Sequence, residues 1–109
     1  MKTDKPPSHL KAPTKQWFSD VVRTYELLPH HVRLLTLAGE AWDRCVAARC
    51  AIDAKGLTYT DRFKVPRQRP EIAIERDSRI GFARLIRELG LEDIEPPDGP
   101  HPPNLRRKR

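Results

Sequence analysis

The sequence of 109 residues contains only two cysteines, and they lack the spacing in which cysteines usually hold a metal. Cys45 and Cys50 are five positions apart in one predicted helix, so their side chains point to different faces and cannot pair with each other. No C-x-x-C occurs, and zinc would need two further ligands. We interpret both residues as buried thiols in a reducing compartment, and we expect no structural metal and no cofactor.

Catalytic motifs are also missing. The sequence has no G-x-x-x-x-G-K-[ST] loop for nucleotide phosphates, no H-E-x-x-H zinc site and no G-x-S-x-G nucleophile turn. His30 and His31 are adjacent at a predicted helix start, which is poor geometry for a shared metal. Glu71, Glu75 and Asp77 alternate with arginines, a pattern more typical of ion-paired, solvent-facing residues. We therefore expect no catalytic residues and no enzymatic activity.

Long apolar runs are absent as well. No segment approaches the roughly 20 apolar residues that a membrane-spanning helix needs. The lysines near the N-terminus are not followed by the apolar region of a signal peptide. These features predict a soluble, cytoplasmic protein without a membrane partner.

Positive charge is what the sequence does have, with a net charge of +6 that is unevenly distributed. Residues 55–69 carry five basic side chains against Asp61, and residues 106–109 are all basic, whereas the predicted helices are close to neutral. This pattern favours contact with a polyanion, although a solvated surface is the common alternative. The candidate DNA-binding residues are Arg62, Lys64, Arg67, Arg69, Arg106, Arg107, Lys108 and Arg109.

Periodicity predicts three helices, over residues 14–27, 30–55 and 70–89. Thr14 is a suitable N-cap, Gly56 and Gly90 are C-terminal signals, and Pro70 suits a first helical turn. Residues 57–66 contain alternating strand formers and predict a short hairpin. The fold class is therefore mainly α, a three-helix module with a short β-hairpin between the last two helices.

Proline-rich segments flank this module. Residues 1–13 are predicted to form a flexible basic N-terminal arm, and residues 92–109 a flexible C-terminal arm, because such stretches cannot sustain a helix and bury little surface. Residues 14–91 are the predicted domain for oligomerisation and DNA recognition. A helix-turn-helix is not predicted, because the helical pattern continues through Gly39 without a break. The hairpin and the arms are therefore the DNA-binding candidates.

The second helix carries a seam of mainly small residues that repeats in steps of four and three, with Trp42 in a stripe beside it. This heptad-like pattern allows a partner helix to approach closely. So small a core commonly gains stability from a subunit interface, but the seam could equally serve the internal core. The candidate interface residues are Leu34, Ala38, Ala41, Trp42, Cys45, Ala48 and Ile52.

Several stretches, in this order along the chain, resemble phage terminase small subunits. They are residues 30–38 (HHVRLLTLA), 40–44 (EAWDR), 56–63 (GLTYTDRF), 74–79 (IERDSR), 82–85 (FARL) and 87–91 (RELGL). The resemblance covers residues 14–91. It departs from the family at Lys64 and Val65, which occupy the hairpin turn where a glycine is expected.

The resemblance implies a non-catalytic protein of the host cytoplasm that forms a homo-oligomeric ring. It would recognise double-stranded viral DNA and regulate the large terminase subunit, which holds the ATPase and nuclease, during genome packaging. One alternative is a small oligomeric DNA-binding transcriptional regulator. Another is an adaptor that regulates a partner enzyme without binding DNA. The oligomeric state separates the first two functions, and a DNA-mobility assay at two salt concentrations tests for the third.

Overall fold

The computed structural model describes residues 5–91. Within this range the elements follow in the order α1 (Ala12–Thr24), α2 (Pro29–Lys55), β1 (Thr58–Thr60), β2 (Pro66–Gln68) and α3 (Pro70–Leu89). The predicted fold class is confirmed: the chain is mainly helical, with a two-stranded antiparallel hairpin between the last two helices. The predicted C-terminal arm and residues 1–4 lie outside the described residues.

The first helix begins and ends earlier than predicted. It starts at Ala12, because Pro13 fits the first turn, where a missing backbone N–H costs nothing. Thr14 is therefore inside the helix and is not its N-cap. Its hydroxyl donates to Oδ1 of Asp43 at 2.5 Å, and the backbone N–H of Lys11 donates to Oδ2 of the same residue at 2.8 Å. The carboxylate that caps α1 thus comes from α2.

The core reaches into the segment that was predicted to be a flexible arm. Leu10 is 4% exposed and belongs to the main hydrophobic cluster. Its side chain lies over Gly39, where an added Cβ would be 3.1 Å from Cδ1 of Leu10 and 3.2 Å from Cγ2 of Thr14. Gly39 is therefore the point at which α2 allows the N-terminal segment to approach closely.

Helices α2 and α3 pack antiparallel along much of their length. Cys45 of α2 lies against Glu75 of α3, and Trp42, which is earlier in α2, contacts Phe82, which is later in α3. The two helices therefore run in opposite directions. Near the far end of the pair, Leu35 and Leu89 share the buried cluster with Phe18 of α1. The smaller α1 covers the end of the pair that is opposite the hairpin.

A buried carboxylate joins α2 to α3. The Glu75 side chain is only 9% exposed, and its Oε1 lies 3.2 Å from Nη2 of Arg49 and 3.4 Å from Nε of Arg79. This corrects the solvent-facing prediction for Glu75. Burial and the nearby Glu75 carboxylate raise the pKa of the Cys45 thiol. Cys45 is half-buried and Cys50 is exposed, so the prediction that both thiols are buried is wrong for Cys50 and holds only in part for Cys45.

The two interior helix glycines provide a matched test of this packing. Gly39→Leu must displace Leu10 and Thr14, and we expect a loss of about 1–3 kcal/mol of unfolding free energy from overpacking. Gly81→Leu meets no atom within 4 Å of its Cβ and should gain about 0.5–1 kcal/mol from helix propensity. Urea unfolding followed by circular dichroism measures both. Equal effects at the two positions would contradict the close approach at Gly39.

Candidate nucleic-acid interface

The hairpin extends from one end of the α2–α3 pair. Its two strands pair antiparallel, with Thr58 opposite Gln68 and Thr60 opposite Pro66. Every residue of both strands is exposed. The second strand lies a little beyond the predicted end of the hairpin at residue 66. Within residues 5–91 the hairpin is therefore a separate two-stranded ribbon, and no other described element covers its faces.

Asp61 organises the turn of this ribbon. Its Oδ1 accepts hydrogen bonds from the backbone N–H groups of Phe63 at 2.8 Å and Val65 at 3.0 Å, and its Oδ2 accepts one from Nε of Arg67 at 3.0 Å. Lys64 adopts a left-handed conformation with φ of 63°. The turn therefore has the geometry for which a glycine was expected, and the Asp61 carboxylate holds a lysine in it.

Of the four predicted DNA-binding residues that the structure describes, two make no ion pair within residues 5–91 and two have polar partners. Arg62 and Lys64 are exposed at the turn and make no ion pair within residues 5–91, and Arg62 lies over the Phe63 ring at 4.9 Å. Arg67 is paired with Asp61 although its side chain is 59% exposed. Arg69 is half-buried and donates to the backbone carbonyl of Lys55 at 3.2 Å. The basic residues 106–109 lie outside the described residues.

Arg69 therefore holds the hairpin against the end of α2. Its backbone N–H donates to the carbonyl of Leu57 at 3.0 Å, in addition to the side-chain bond to Lys55. Its Nε is buried and has no hydrogen-bond partner in the described part of the chain. The cationic surface that remains open to a polyanion is thus centred on Arg62 and Lys64, with Arg67 beside them.

The ribbon also exposes large apolar side chains, which the sequence analysis did not identify as functional. Phe63 is 70% and Leu57 61% exposed, and Tyr59 and Val65 are also exposed, to a smaller extent. Alternation in a short strand predicts that one face is buried, but no other element of residues 5–91 covers this ribbon. An apolar and cationic surface of this kind is typical of a contact site.

Most of the small-residue seam on α2 is already used within the protomer. Ala38 and Ala48 are buried, and Cys45 contacts Glu75 of α3. Leu34 packs on the core cluster, and Ala41 and Ile52 are half-buried. Trp42 contacts Phe82 but remains 47% exposed. A partner subunit cannot reach Ala38 or Ala48 unless the helices separate, so these two residues do not form the predicted interface in this arrangement.

The two adjacent histidines lie in the first turn of α2, as expected. The backbone N–H of Leu28 donates to Nδ1 of His31 at 3.0 Å, and partial burial together with the neighbouring His30 lowers the pKa of His31. Residues 5–91 contain no group of three or more histidine, cysteine, aspartate or glutamate side chains that could hold a metal ion. In the same range, no helix is long and apolar enough to cross a membrane.

Comparisons with protein-family models, with curated proteins and with solved structures give no match for this chain.

The turn should be sensitive to acid. Hydrogen bonding from Val65 and Arg67 lowers the pKa of Asp61 below its ordinary value of 3.8. The Asp61 carboxylate therefore binds a proton less tightly in the folded hairpin than in the unfolded chain. Its ionised form stabilises the turn above pH 3.8, and this stabilisation is lost as the pH falls further. Amide exchange at Val65, measured by NMR, should accelerate in that range beyond the intrinsic pH dependence.

Asp61→Asn is the matched control. It keeps an oxygen acceptor for the turn but cannot titrate, so its hairpin should show no additional loss of protection over the same pH range. An identical pH response in the parent protein and the variant would assign the effect to another group.

Proposed function

We propose that this protein is a phage terminase small subunit. In this role it assembles into a ring, binds double-stranded viral DNA and regulates the large terminase subunit during genome packaging, without catalytic activity of its own. The observation that carries the proposal is the exposed hairpin, which combines a cationic turn with uncovered apolar side chains at one end of a helical scaffold. The resemblance of residues 14–91 to the family supports the same function.

The cationic turn supports binding to the DNA backbone. Arg62 and Lys64 lie on a narrow ribbon, where no acidic side chain within residues 5–91 pairs with them. Phosphates can therefore approach both side chains. Each such contact releases condensed counterions, and a ring would present one hairpin per subunit, so weak single contacts would act together through avidity.

The apolar side chains of the hairpin support self-association. A two-stranded ribbon is only marginally stable by itself in water. Burying Leu57, Tyr59 and Phe63 against a second copy would stabilise both the ribbon and the assembly. When such a contact joins two different surfaces, repetition closes a ring if the rotation between subunits permits. This surface replaces the small-residue seam of α2 as the main candidate for the subunit interface.

DNA binding should depend on the two free cations of the turn. We expect Arg62→Gln with Lys64→Asn to reduce the slope of log affinity against log salt by about 1.8, at 0.9 per lost phosphate contact. Asparagine is chosen at position 64 because it tolerates the left-handed conformation there. Fluorescence anisotropy with duplex DNA at several salt concentrations provides the measurement.

Arg33→Gln with Arg84→Gln removes the same charge from exposed helical positions. Arg33 lies 22 residues before the end of α2, which is about 33 Å along the helix. This control should leave the salt slope unchanged. Equal slopes for both double variants and the parent would remove the hairpin from the DNA interface, and no binding at any salt concentration would favour the adaptor function.

Self-association should depend on the apolar side chains of the hairpin. Leu57→Ser with Phe63→Ser should dissociate the assembly while the helices remain folded, because both side chains are mostly exposed in the protomer. Leu28→Ser is the control, since Leu28 is 57% exposed but lies between α1 and α2. Native mass spectrometry reports the copy number. If the unsubstituted protein is a dimer, the transcriptional-regulator function is favoured. If it is a monomer, the proposed ring is contradicted.

A further inference from the structure

A second apolar surface lies on the other half of the molecule, where α1 crosses the α2–α3 pair. It is a partly open groove of about 370 Å³, lined by Pro13, Thr14, Trp17, Trp42 and Phe82. The lining residues come from all three helices. The groove is separate from the hairpin and has no part in the function proposed above.

Three aromatic rings define this groove. The Phe82 ring lies 5.1 Å from Trp42 and 6.0 Å from Trp17, with tilted planes in both pairs. Because each ring is carried by a different helix, the packing of the helices fixes the arrangement before any ligand binds. Within residues 5–91 neither indole N–H has a hydrogen-bond partner, so both remain available as donors.

Aromatic faces with free indole donors are suited to a polyproline II ligand. Proline rings pack on aromatic side chains, and a polyproline helix forms no internal hydrogen bonds, so docking breaks none within the ligand. Such a ligand also loses little conformational entropy on binding, because its backbone is already extended. The groove therefore favours a proline-rich segment over a helix or a small polar molecule.

The chain itself carries a segment of this kind. Pro97, Pro100 and Pro103 follow one another at intervals of three residues, which is the repeat of a polyproline II helix. The three rings would lie on one face of that helix, about 9 Å apart. Pro96 and Pro102 would share a different face.

The segment is long enough to reach the groove from the end of α3. Phe82 is nine residues before Leu91, which corresponds to about 14 Å along the helix. The six residues from Leu91 to Pro97 can span about 20 Å when extended. Leu91 also packs against the core cluster that contains Phe18, the neighbour of Trp17 in α1. The chain therefore leaves the end of α3 beside the core cluster to which α1 contributes.

We propose that the proline-rich segment around residues 97–103 docks as a polyproline II helix into the groove formed by Trp17, Trp42 and Phe82 of the same chain. Docking covers apolar surface that the helices leave open. It also holds the acidic stretch of residues 92–98 against the protomer and fixes the point from which the basic residues 106–109 extend.

The two tryptophans of the chain both line the groove, so tryptophan emission reports its occupancy directly. In the full-length chain, the variant Pro97→Ala, Pro100→Ala, Pro103→Ala should shift the emission to longer wavelength and increase quenching by acrylamide. Pro96→Ala with Pro102→Ala keeps the proposed docking face and should behave like the parent. Because none of the five positions belongs to the three helices of residues 12–89, the far-UV circular dichroism of those helices should be unchanged.

Adding a free peptide of residues 92–109 completes the test. The peptide should restore shielding of the two tryptophans in the triple variant. The parent protein should need a peptide concentration about tenfold or more higher, because its own tethered segment competes at an effective concentration on the order of millimolar. Identical quenching of parent and triple variant would overturn the proposal. An equal loss of tryptophan shielding in both proline variants would contradict the assignment of Pro97, Pro100 and Pro103 to the docking face. Shielding that disappears on dilution would show that the segment comes from a second copy and not from the same chain. None of these measurements uses DNA, so their outcome is independent of the function proposed above.

Discussion

The antiparallel packing of α2 against α3 is the interaction on which the other features of this molecule depend. It is centred on Glu75, whose buried carboxylate lies between Arg49 of α2 and Arg79 of its own helix. A lone buried carboxylate would carry a large desolvation cost, and the two guanidinium groups offset it. Together with the contact between Trp42 and Phe82, the pairing matches α2 to α3 in one register, and both the turn of the chain and the position of α1 are built on that packing.

Each candidate site lies at a place that this register determines. The hairpin is the connection between α2 and α3, and Arg69 holds its base by donating to the carbonyl of Lys55. The aromatic groove forms where α1 meets the pair, with Trp42 and Phe82 already in contact across α2 and α3. The two surfaces are well separated, which allows the proposed DNA contact and the proposed docking of the proline-rich segment to operate independently.

The sequence predicts the elements well because the signals for them are local. Helical periodicity, Pro70, Gly56 and the alternating strand formers together predict three helices and a hairpin. The differences come from contacts between residues distant in sequence. Asp43 caps α1 from another helix, and Leu10 enters the core over Gly39, so both the helix start and the inner limit of the arm differ from the prediction.

The candidate site is less predictable than the fold for the same reason. The charge of residues 55–69 identifies the hairpin, but it does not distinguish Arg69, which bonds to a backbone carbonyl, from Arg62, which makes no ion pair within residues 5–91. Periodicity cannot tell whether the α2 seam faces a partner or α3, and the structure buries Ala38 and Ala48 within the protomer. Phe63 is exposed because no other element of residues 5–91 covers the ribbon, and a local sequence pattern cannot report such an arrangement.

Hydrogen–deuterium exchange of the full-length protein with and without duplex DNA would locate the DNA contact without altering any side chain. A DNA contact at the hairpin predicts that DNA slows exchange of the amides in residues 57–68, while exchange in the middle of α3 is unchanged. Protection confined to the helices, with the hairpin exchanging equally fast in both samples, would contradict it.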